Sequence, residues 1–269
     1  ATVCGSGGFH GRTLGSLSAT GQPKFWEGFK PLVPGFSHVQ FGSIVAVYEK
    51  INSNTVAVIV ETIQGEGGVN VAPEGYIKAL RELCTEKEIL LIIDEVQTGI
   101  GRTGKFFSYH YDNIIPDIVA TAKGIANGLP LGATICSKEV ADEIKPGNHG
   151  STFGGNPVAI AAANKVVDLL DEDKLKEIAQ LGDTLQDALH GLNLPEIKNI
   201  RGKGLIIGVE FIEGISAKVV ALKLLDKGFL VATSGDSVLR ILPPFVITQS
   251  ELMKFLSALR TVVQEIFIK

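Results

Sequence analysis

Two ionisable residues, each at the end of an apolar run, are the strongest chemical feature of this sequence. The run Ile89–Ile93 leads directly to Asp94, and the segment Pro116–Ala122 leads to Lys123. Ligands of open α/β sheets bind outside the carboxyl ends of the strands, so two strands that end this way would present an acid and a lysine to one site. A lysine that can form a Schiff base, beside an acid that can hold a pyridinium nitrogen, is the minimum protein equipment for pyridoxal 5'-phosphate (PLP) chemistry.

Simpler interpretations exist for each of these residues. A lysine at a strand end is usually only solvated, but the Gly-rich segment Gly124–Gly132 and the nearby Asp94 favour a chemical role for Lys123. A buried lysine has a lowered pKa and can act as a nucleophile and then as a base. Asp94 could merely cap the following turn, or its poorly solvated carboxylate could pair with a cationic ring nitrogen. Gln97 could donate to a ring phenolate oxygen.

Two further acids and two arginines are candidates for substrate binding. Glu61 and Glu66 flank a Gly-rich loop at another strand end, where a solvated loop acid is the plain alternative. Arg12 and Arg240 are candidates for bidentate binding of carboxylates. Arg240 lies in an apolar strand, where an unpaired arginine would be costly, whereas the default position for Arg12 in its loop is the surface.

Two Gly-rich segments have features of phosphate-binding loops, and only the first keeps them in context. Ser151 and Thr152 precede a helix that starts after Asn156, and hydroxyls with free N–H groups at a helix start suit a phosphate, although a simple helix cap would look the same. The segment Gly99–Gly104 matches the dinucleotide pattern GxGxxG, but it does not directly follow its strand and no acid tips a later strand at the required distance. A nicotinamide-dependent dehydrogenase is therefore a poor interpretation.

Composition excludes several classes of protein. The 269 residues carry a net charge of −4, with 45% hydrophobic and 20% charged residues, which gives no basic footprint for nucleic acid. The apolar runs are too short to span a bilayer. The three scattered cysteines suit reduced thiols in the cytoplasm, and no histidine or cysteine spacing predicts a metal site. The chain opens in the middle of what looks like a strand, so we expect N-terminal truncation.

Apolar runs alternate with amphipathic helices, which predicts an α/β fold with a mostly parallel sheet and helices on both faces. We place a large domain at residues 1–166 and a smaller α/β domain at 167–269. The predicted strands are Thr55–Val60, Ile89–Ile93, Pro116–Ala122, Ala133–Cys136, Leu205–Phe211, Phe229–Ala232 and Val238–Leu242. The predicted helices are Pro73–Lys87, Pro157–Leu170, Lys174–Leu192, Ser216–Lys227 and one that starts at Thr248 with Glu251 in a capping box.

Together these residues resemble the class III, ornithine-type aminotransferases, which are PLP-dependent enzymes of fold type I. The resemblance covers nearly the whole chain and is closest to the acetylornithine aminotransferase subfamily. Its marks are Phe9–Gly15, Ala19–Gln22, Glu61–Gly68, Asp94–Gly104, Thr121–Gly124, Leu129–Ala133, His149–Pro157 and Leu239–Pro244.

The resemblance implies a role for each cofactor-binding residue. Lys123 would hold PLP as a Schiff base and move the proton, Asp94 would bind the pyridinium and Gln97 the ring oxygen. Phe9 would stack on the ring, and Ser151 with Thr152 would reach the phosphate of a partner subunit's cofactor in a homodimer.

The same resemblance implies substrate roles. Arg12 would take the α-carboxylate of acetylornithine and the distal carboxylate of glutamate, and Arg240 would take glutamate's α-carboxylate. Glu66 would cover Arg240 when the other substrate is bound, and Glu61 would support the site from behind. Donors of sibling enzymes (ornithine, succinylornithine, 4-aminobutyrate) and a non-catalytic truncated PLP fold stay open as alternatives.

Overall fold

The computed structural model describes residues 1–267 and contains a mostly parallel and an antiparallel sheet. The strands are β1 (Thr2–Gly5), β2 (Phe36–Val39), β3 (Ala57–Glu61), β4 (Ile63–Gln64), β5 (Asn70–Val71), β6 (Leu90–Asp94), β7 (Ile118–Thr121), β8 (Ala133–Cys136), β9 (Ile197–Lys203), β10 (Ile206–Phe211), β11 (Ala232–Ser234) and β12 (Val238–Ile241). The helices are α1 (Leu14–Ala19), α2 (Ile44–Lys50), α3 (Tyr76–Glu86), α4 (Lys138–Glu143), α5 (Pro157–Leu169), α6 (Glu172–His190), α7 (Ala217–Asp226) and α8 (Gln249–Phe267), with 3-10 turns at Pro23–Phe25, Ser108–Asp112 and Lys123–Ala126.

The first sheet has the strand order β2-β1-β3-β6-β7-β8, and only β8 runs antiparallel to its neighbour. Its central strands β3 and β6 are apolar runs such as Leu90–Ile93 because both of their faces are largely covered. The register aligns Glu61 with Asp94 at the carboxyl ends of these strands. The prediction of a mixed α/β fold with a mostly parallel sheet is thus confirmed, and one edge of that sheet carries the candidate acids.

The second sheet has the order β11-β12-β10-β9 and is antiparallel throughout. It packs against α6, α7 and α8 around a core that includes Leu185, Phe211, Val220, Leu239 and Leu259. A separate buried cluster, which includes Ile100, Phe107, Leu170, Ile178 and Leu205, joins residues that belong to the two halves of the chain. The predicted domain boundary near residue 167 stays a prediction. It falls inside α5, and residues 268–269 of the second predicted domain lie outside the described part.

Several local predictions are confirmed at the level of single hydrogen bonds. The Asn156 side chain accepts from the Ala159 N–H and caps α5, where Pro157 occupies the first turn. The Thr248 N–H donates to Glu251 Oε2 at 2.8 Å and the Glu251 N–H donates to Thr248 Oγ1 at 3.2 Å, which is the reciprocal pair of a capping box. Among residues 1–267, no helix has the length and apolar character needed to cross a membrane.

Two strand predictions need correction. The strand predicted at Phe229–Ala232 begins only at its last residue, because β11 spans Ala232–Ser234. Leu230, before it, is 88% exposed. The apolar run at 118–122 ends as a strand at Thr121, so Lys123 lies in the turn that follows and not on the strand itself. In both cases the error is one of bounds: residues 229–231 lie before β11, and Ala122 lies in the turn after β7.

Candidate active site

Lys123 lies at the edge of the large sheet where β3, β6 and β7 end. Its φ of 48° places it in the left-handed region, where the chain turns sharply after β7. Burial of the ammonium group lowers the pKa of Lys123; the charges of Asp94, Glu66 and Glu61 oppose that change and the charge of Arg240 adds to it. Four of the predicted site residues therefore surround this lysine closely enough to act on its charge.

Asp94 is buried at the end of β6 and both of its oxygens are engaged. Oδ2 lies 2.7 Å from Nδ1 of His10, and Oδ1 accepts from the Val96 N–H at 3.0 Å. The His10 side chain is only 3% exposed. Burial lowers the pKa of His10, but the hydrogen bond to Asp94 and the charges of Glu61 and Asp94 outweigh it, so the pKa is raised. When protonated, His10 places a positive charge next to the Asp94 side chain.

Glu61 lies behind this pair, at the end of β3. Its Oε2 accepts from the Phe9 N–H at 2.9 Å, which fixes the start of the loop that carries Phe9 and His10. Burial raises the pKa of Glu61 to about 7, against the opposing charge of His10 and with a smaller contribution from Asp94. The Phe9 ring packs edge-on against Phe25, with ring centroids 5.4 Å apart. Glu61 thus organises the loop and stands one layer behind the lysine.

Arg240 and Glu66 form a direct ion pair. Arg240 is 8% exposed, and its Nη1 donates to Glu66 Oε1 at 2.8 Å and to the Gly65 carbonyl at 3.1 Å. Gln97 Oε1 lies 3.4 Å from the same nitrogen. The arginine of an otherwise apolar strand is therefore paired, as its burial requires. Gln97, predicted for the cofactor, and Glu66 with Arg240, predicted for the substrate, are in contact.

Three predicted residues lie outside this group. Arg12 is exposed, and its guanidinium carbon lies 4.7 Å from the Phe25 ring centroid and 5.6 Å from that of Phe9. Ser151 and Thr152 are exposed in the loop before α5, where Ser151 Oγ accepts from the Gly154 N–H. No hydrogen bond within residues 1–267 ties these three side chains to Lys123. Their predicted roles toward a carboxylate and toward a partner subunit stay predictions.

His10 is the residue that sequence reasoning left without a role of its own. The available signal was its position: it follows β1 within five residues, so it belongs to the same sheet edge as Asp94 once β1 lies next to β3. A histidine beside a buried carboxylate is a common way to hold that carboxylate charged. Its buried Nε2 has no hydrogen-bond partner among the described residues.

The side chains fit a group that carries both an electrophilic carbon and a cationic ring nitrogen. Lys123 supplies an amine whose pKa is lowered, and Asp94 supplies a buried carboxyl group that is hydrogen-bonded to His10. Lys123 and Gln97 also line one side of a pocket of about 130 Å³ with Ile100, Leu242 and Phe245. The arrangement can hold such a group covalently at one end and electrostatically at the other.

The comparisons with known proteins identify the family of the chain. Residues 1–263 match the family model described as Aminotransferase class-III. The chain is 48% identical over 254 residues to an acetylornithine aminotransferase of Aquifex aeolicus, a match that covers 94% of this chain and 66% of that protein. It is 44% identical over 261 residues to ornithine aminotransferase 2 of Staphylococcus aureus, covering 96% of this chain and 65% of the relative.

A solved structure of a relative has a similar fold. The ornithine aminotransferase of Toxoplasma gondii superposes with a TM-score of 0.94 at 36% identity, covering 98% of this chain and 65% of that one. The chain thus spans just under two thirds of the length of the relatives it matches. The family model matches residues 1–263, which is nearly the full length of the sequence. The chain therefore belongs to the class-III aminotransferase family.

Proposed function

We propose that this protein is a PLP-dependent aminotransferase that moves the terminal amino group of N2-acetylornithine to 2-oxoglutarate. The products would be N-acetylglutamate 5-semialdehyde and glutamate, a step of arginine biosynthesis. The observation that carries the proposal is the placement of Lys123 and the His10-bound Asp94 at one sheet edge. When bound, PLP supplies an electron sink for the negative charge that develops on the substrate carbon that carries the amino group.

Lys123 has two tasks in this proposal. Its Nζ would attach the cofactor, and burial, which lowers its pKa, favours the neutral amine that can act as a base. That amine then moves the proton that leaves the substrate carbon. Asp94 would pair with the ring nitrogen in its cationic form, which is the form that draws electrons most strongly, and the hydrogen bond to His10 holds the Asp94 side chain in place. Gln97 is assigned to the ring oxygen and Phe9 to the ring face.

The paired Arg240 and Glu66 support the use of two substrates in one site. Glutamate carries two carboxylates and acetylornithine carries one, so an arginine needed for glutamate must be neutralised when acetylornithine binds. Glu66 stands 2.8 Å from Arg240 and can do this. Arg12, on the exposed side, would take the α-carboxylate of acetylornithine or the distal carboxylate of glutamate. One site that serves two substrates in turn predicts ping-pong kinetics.

An exposed apolar surface supports a homodimer with shared sites. Phe153 is 82% exposed and Val158 is 68% exposed, directly beside Ser151 and Thr152. Large apolar side chains that cluster at the surface mark an interface. Ser151 and Thr152 would then reach the cofactor phosphate of the partner subunit. The free cysteines fit a reducing compartment, and we place the enzyme in the cytoplasm.

The choice of amino donor rests on similarity alone. Relatives at 48% and 49% identity carry the name acetylornithine aminotransferase, whereas those at 44% carry the name ornithine aminotransferase. Ornithine is therefore the second candidate donor. Both donors react at the same terminal amine, so the difference lies in what the site accepts around the α-amino group.

A donor panel tests the proposal. The protein is loaded with PLP, and kcat/KM is measured with 2-oxoglutarate as acceptor and N2-acetylornithine, ornithine, succinylornithine or 4-aminobutyrate as donor. We expect N2-acetylornithine to give the highest kcat/KM, and a clear preference for free ornithine would overturn the assignment of the donor. A chain that acquires no visible absorbance with PLP, and whose spectrum equals that of Lys123→Ala, would instead favour a non-catalytic remnant of the fold.

A further inference from the structure

The Gly99–Gly104 segment, which mimics a dinucleotide motif, is a packing loop between the two halves of the chain. A Cβ at Gly101 would lie 3.2 Å from Leu170 and Leu175 side-chain carbons, and one at Gly104 would lie 2.6 Å from Ala179 Cβ. The glycines are therefore required because α5 and α6 approach the loop backbone closely. This requirement for small residues accounts for the glycine spacing without a phosphate.

Arg102 projects from this loop, and it is an unusual arginine. Its Nη1 donates to the Leu205 carbonyl at 3.1 Å and to the Pro243 carbonyl at 2.6 Å. Its guanidinium carbon lies 4.5 Å from the centroid of the Phe245 ring. Burial lowers the pKa of Arg102 to about 10, and no carboxylate within residues 1–267 forms an ion pair with it. A buried cation without an acid must obtain its stabilisation from carbonyl dipoles and an aromatic face.

The two carbonyls that Arg102 binds are at the end of a strand pair. In the β10–β12 ladder, Gly208 pairs with Arg240 and Ile207 pairs with Ile241. Extending that register by two residues places Leu205 opposite Pro243, where the ladder cannot continue because proline has no N–H. Arg102 donates to both carbonyls at this point. It therefore closes the frayed end of the ladder in place of the missing backbone hydrogen bonds.

This closure fixes the strand that carries Arg240. Pro243 lies three residues beyond Arg240 in the same extended segment, and Leu242 with Phe245 lines the pocket beside Lys123. Gln97 lies two residues before this loop, in the same connection after β6, and its Oε1 lies 3.4 Å from Arg240 Nη1. The connection after β6 thus contacts both the strand end and the guanidinium group of Arg240.

We propose that Arg102 is a positioning residue: it clamps the Leu242–Phe245 segment to the Lys123 pocket and so sets the place of Arg240. A clamp at the strand end restricts where the Arg240 guanidinium can meet a carboxylate. Displacement of a binding group by even an ångström is costly in a site that depends on orientation. The effect on catalysis rests on the proposed function, whereas the clamp itself does not.

Hydrogen exchange measured by mass spectrometry tests the clamp without cofactor. Arg102→Met keeps an unbranched apolar stem and removes the donors, and Arg102→Lys restores one charged donor. We expect amides in the peptide that covers residues 238–247, which includes the ladder amides of β12, to exchange at least about tenfold faster in Arg102→Met, with an intermediate rate in Arg102→Lys. Arg260→Met is the matched control, because Arg260 is an exposed residue of α8 that also donates to a carbonyl, that of Leu192. Unchanged exchange at 238–247 in Arg102→Met would overturn the clamp.

Separate half-reactions of the PLP-loaded protein test the consequence for Arg240. Glutamate needs Arg240 in the proposed function and acetylornithine does not. In Arg102→Met, kcat/KM for glutamate should fall roughly tenfold, mainly through KM, and kcat/KM for acetylornithine should stay within about twofold of the parent. Equal losses for both donors would indicate general damage and overturn the positioning role. If the parent protein transaminates neither donor, the proposed function fails, and the exchange experiment still decides whether the clamp exists.

Discussion

Glu95 gives the sharpest quantitative prediction, because it is a fully buried acid with no cationic partner among the described residues. Its relative exposure is 0%. Its Oε2 lies 2.6 Å from Thr98 Oγ1, and its Oε1 accepts from the Tyr109 N–H at 2.9 Å. Burial raises the pKa of Glu95 from 4.5 to about 7, against the hydrogen bonds from Thr98 and Tyr109. The carboxyl therefore stays protonated in the native state at a pH where it would ionise in the unfolded chain.

The sign of the effect follows from the protons bound in each state. Between pH 4.5 and pH 7 the native state binds more protons at this site than the unfolded state, so stability falls as the pH rises through that window and then levels off. A pKa difference of this size corresponds to roughly 3 kcal/mol at full ionisation. Glu95→Gln removes the titration and keeps the shape, since its amide can donate to Thr98 Oγ1 and its oxygen can accept from the Tyr109 N–H.

The assay is urea unfolding followed by circular dichroism at pH 5, 6, 7 and 8 for the parent and for Glu95→Gln. The free energy of unfolding of Glu95→Gln relative to the parent should increase by roughly 2 to 3 kcal/mol between pH 5 and pH 8. Glu86→Gln is the control, because Glu86 is exposed beside Lys87, and its difference from the parent should stay within about 0.5 kcal/mol. A Glu95→Gln difference that does not change with pH would refute the reasoning.

Two further predictions concern packing and the ion pair. Gly204→Ala should destabilise the fold by more than about 2 kcal/mol, because φ is +54° and the new Cβ would lie 2.5 Å from the Thr103 carbonyl carbon. Gly147→Ala, with φ of +91° and open space around it, should lower the free energy of unfolding by only about 1 kcal/mol. Thermal melts of both variants measure this difference, and equal destabilisation would show that the Thr103 contact is unimportant. Glu66→Gln should lower KM for 2-oxoglutarate by about threefold to tenfold in steady-state assays, because Arg240 loses its 2.8 Å competitor; an unchanged or raised KM would contradict the exchange of partners.

The sheet edge could be predicted because parallel strands end together. The runs before Asp94 and Lys123 are apolar and are separated by a connection long enough for a crossover, so their carboxyl ends had to lie on one side. The arginine of β12 could be predicted to have a partner because a buried guanidinium requires one, and Glu66 is that partner. In these cases a local pattern and a general cost together determined the answer.

The rest depends on contacts between segments that are distant in sequence. His10 reaches Asp94 only because β1 lies beside β3, and no local pattern specifies that strand order. Strand β9 was missed because its exposed edge position leaves it with polar residues such as Lys198 and Asn199 in place of an apolar run. Arg102 was passed over because its role depends on two carbonyls more than 100 positions away in the chain.

The central claim is that Lys123 is the amine that binds PLP. The direct measurement is to incubate the protein with PLP, reduce with borohydride, digest and locate the modified lysine by mass spectrometry. We predict about one equivalent of label per chain, on Lys123, and its loss in Lys123→Arg, because guanidinium does not form a stable imine. Label spread over exposed lysines such as Lys138 and Lys176, and unaltered by Lys123→Arg, would contradict the account.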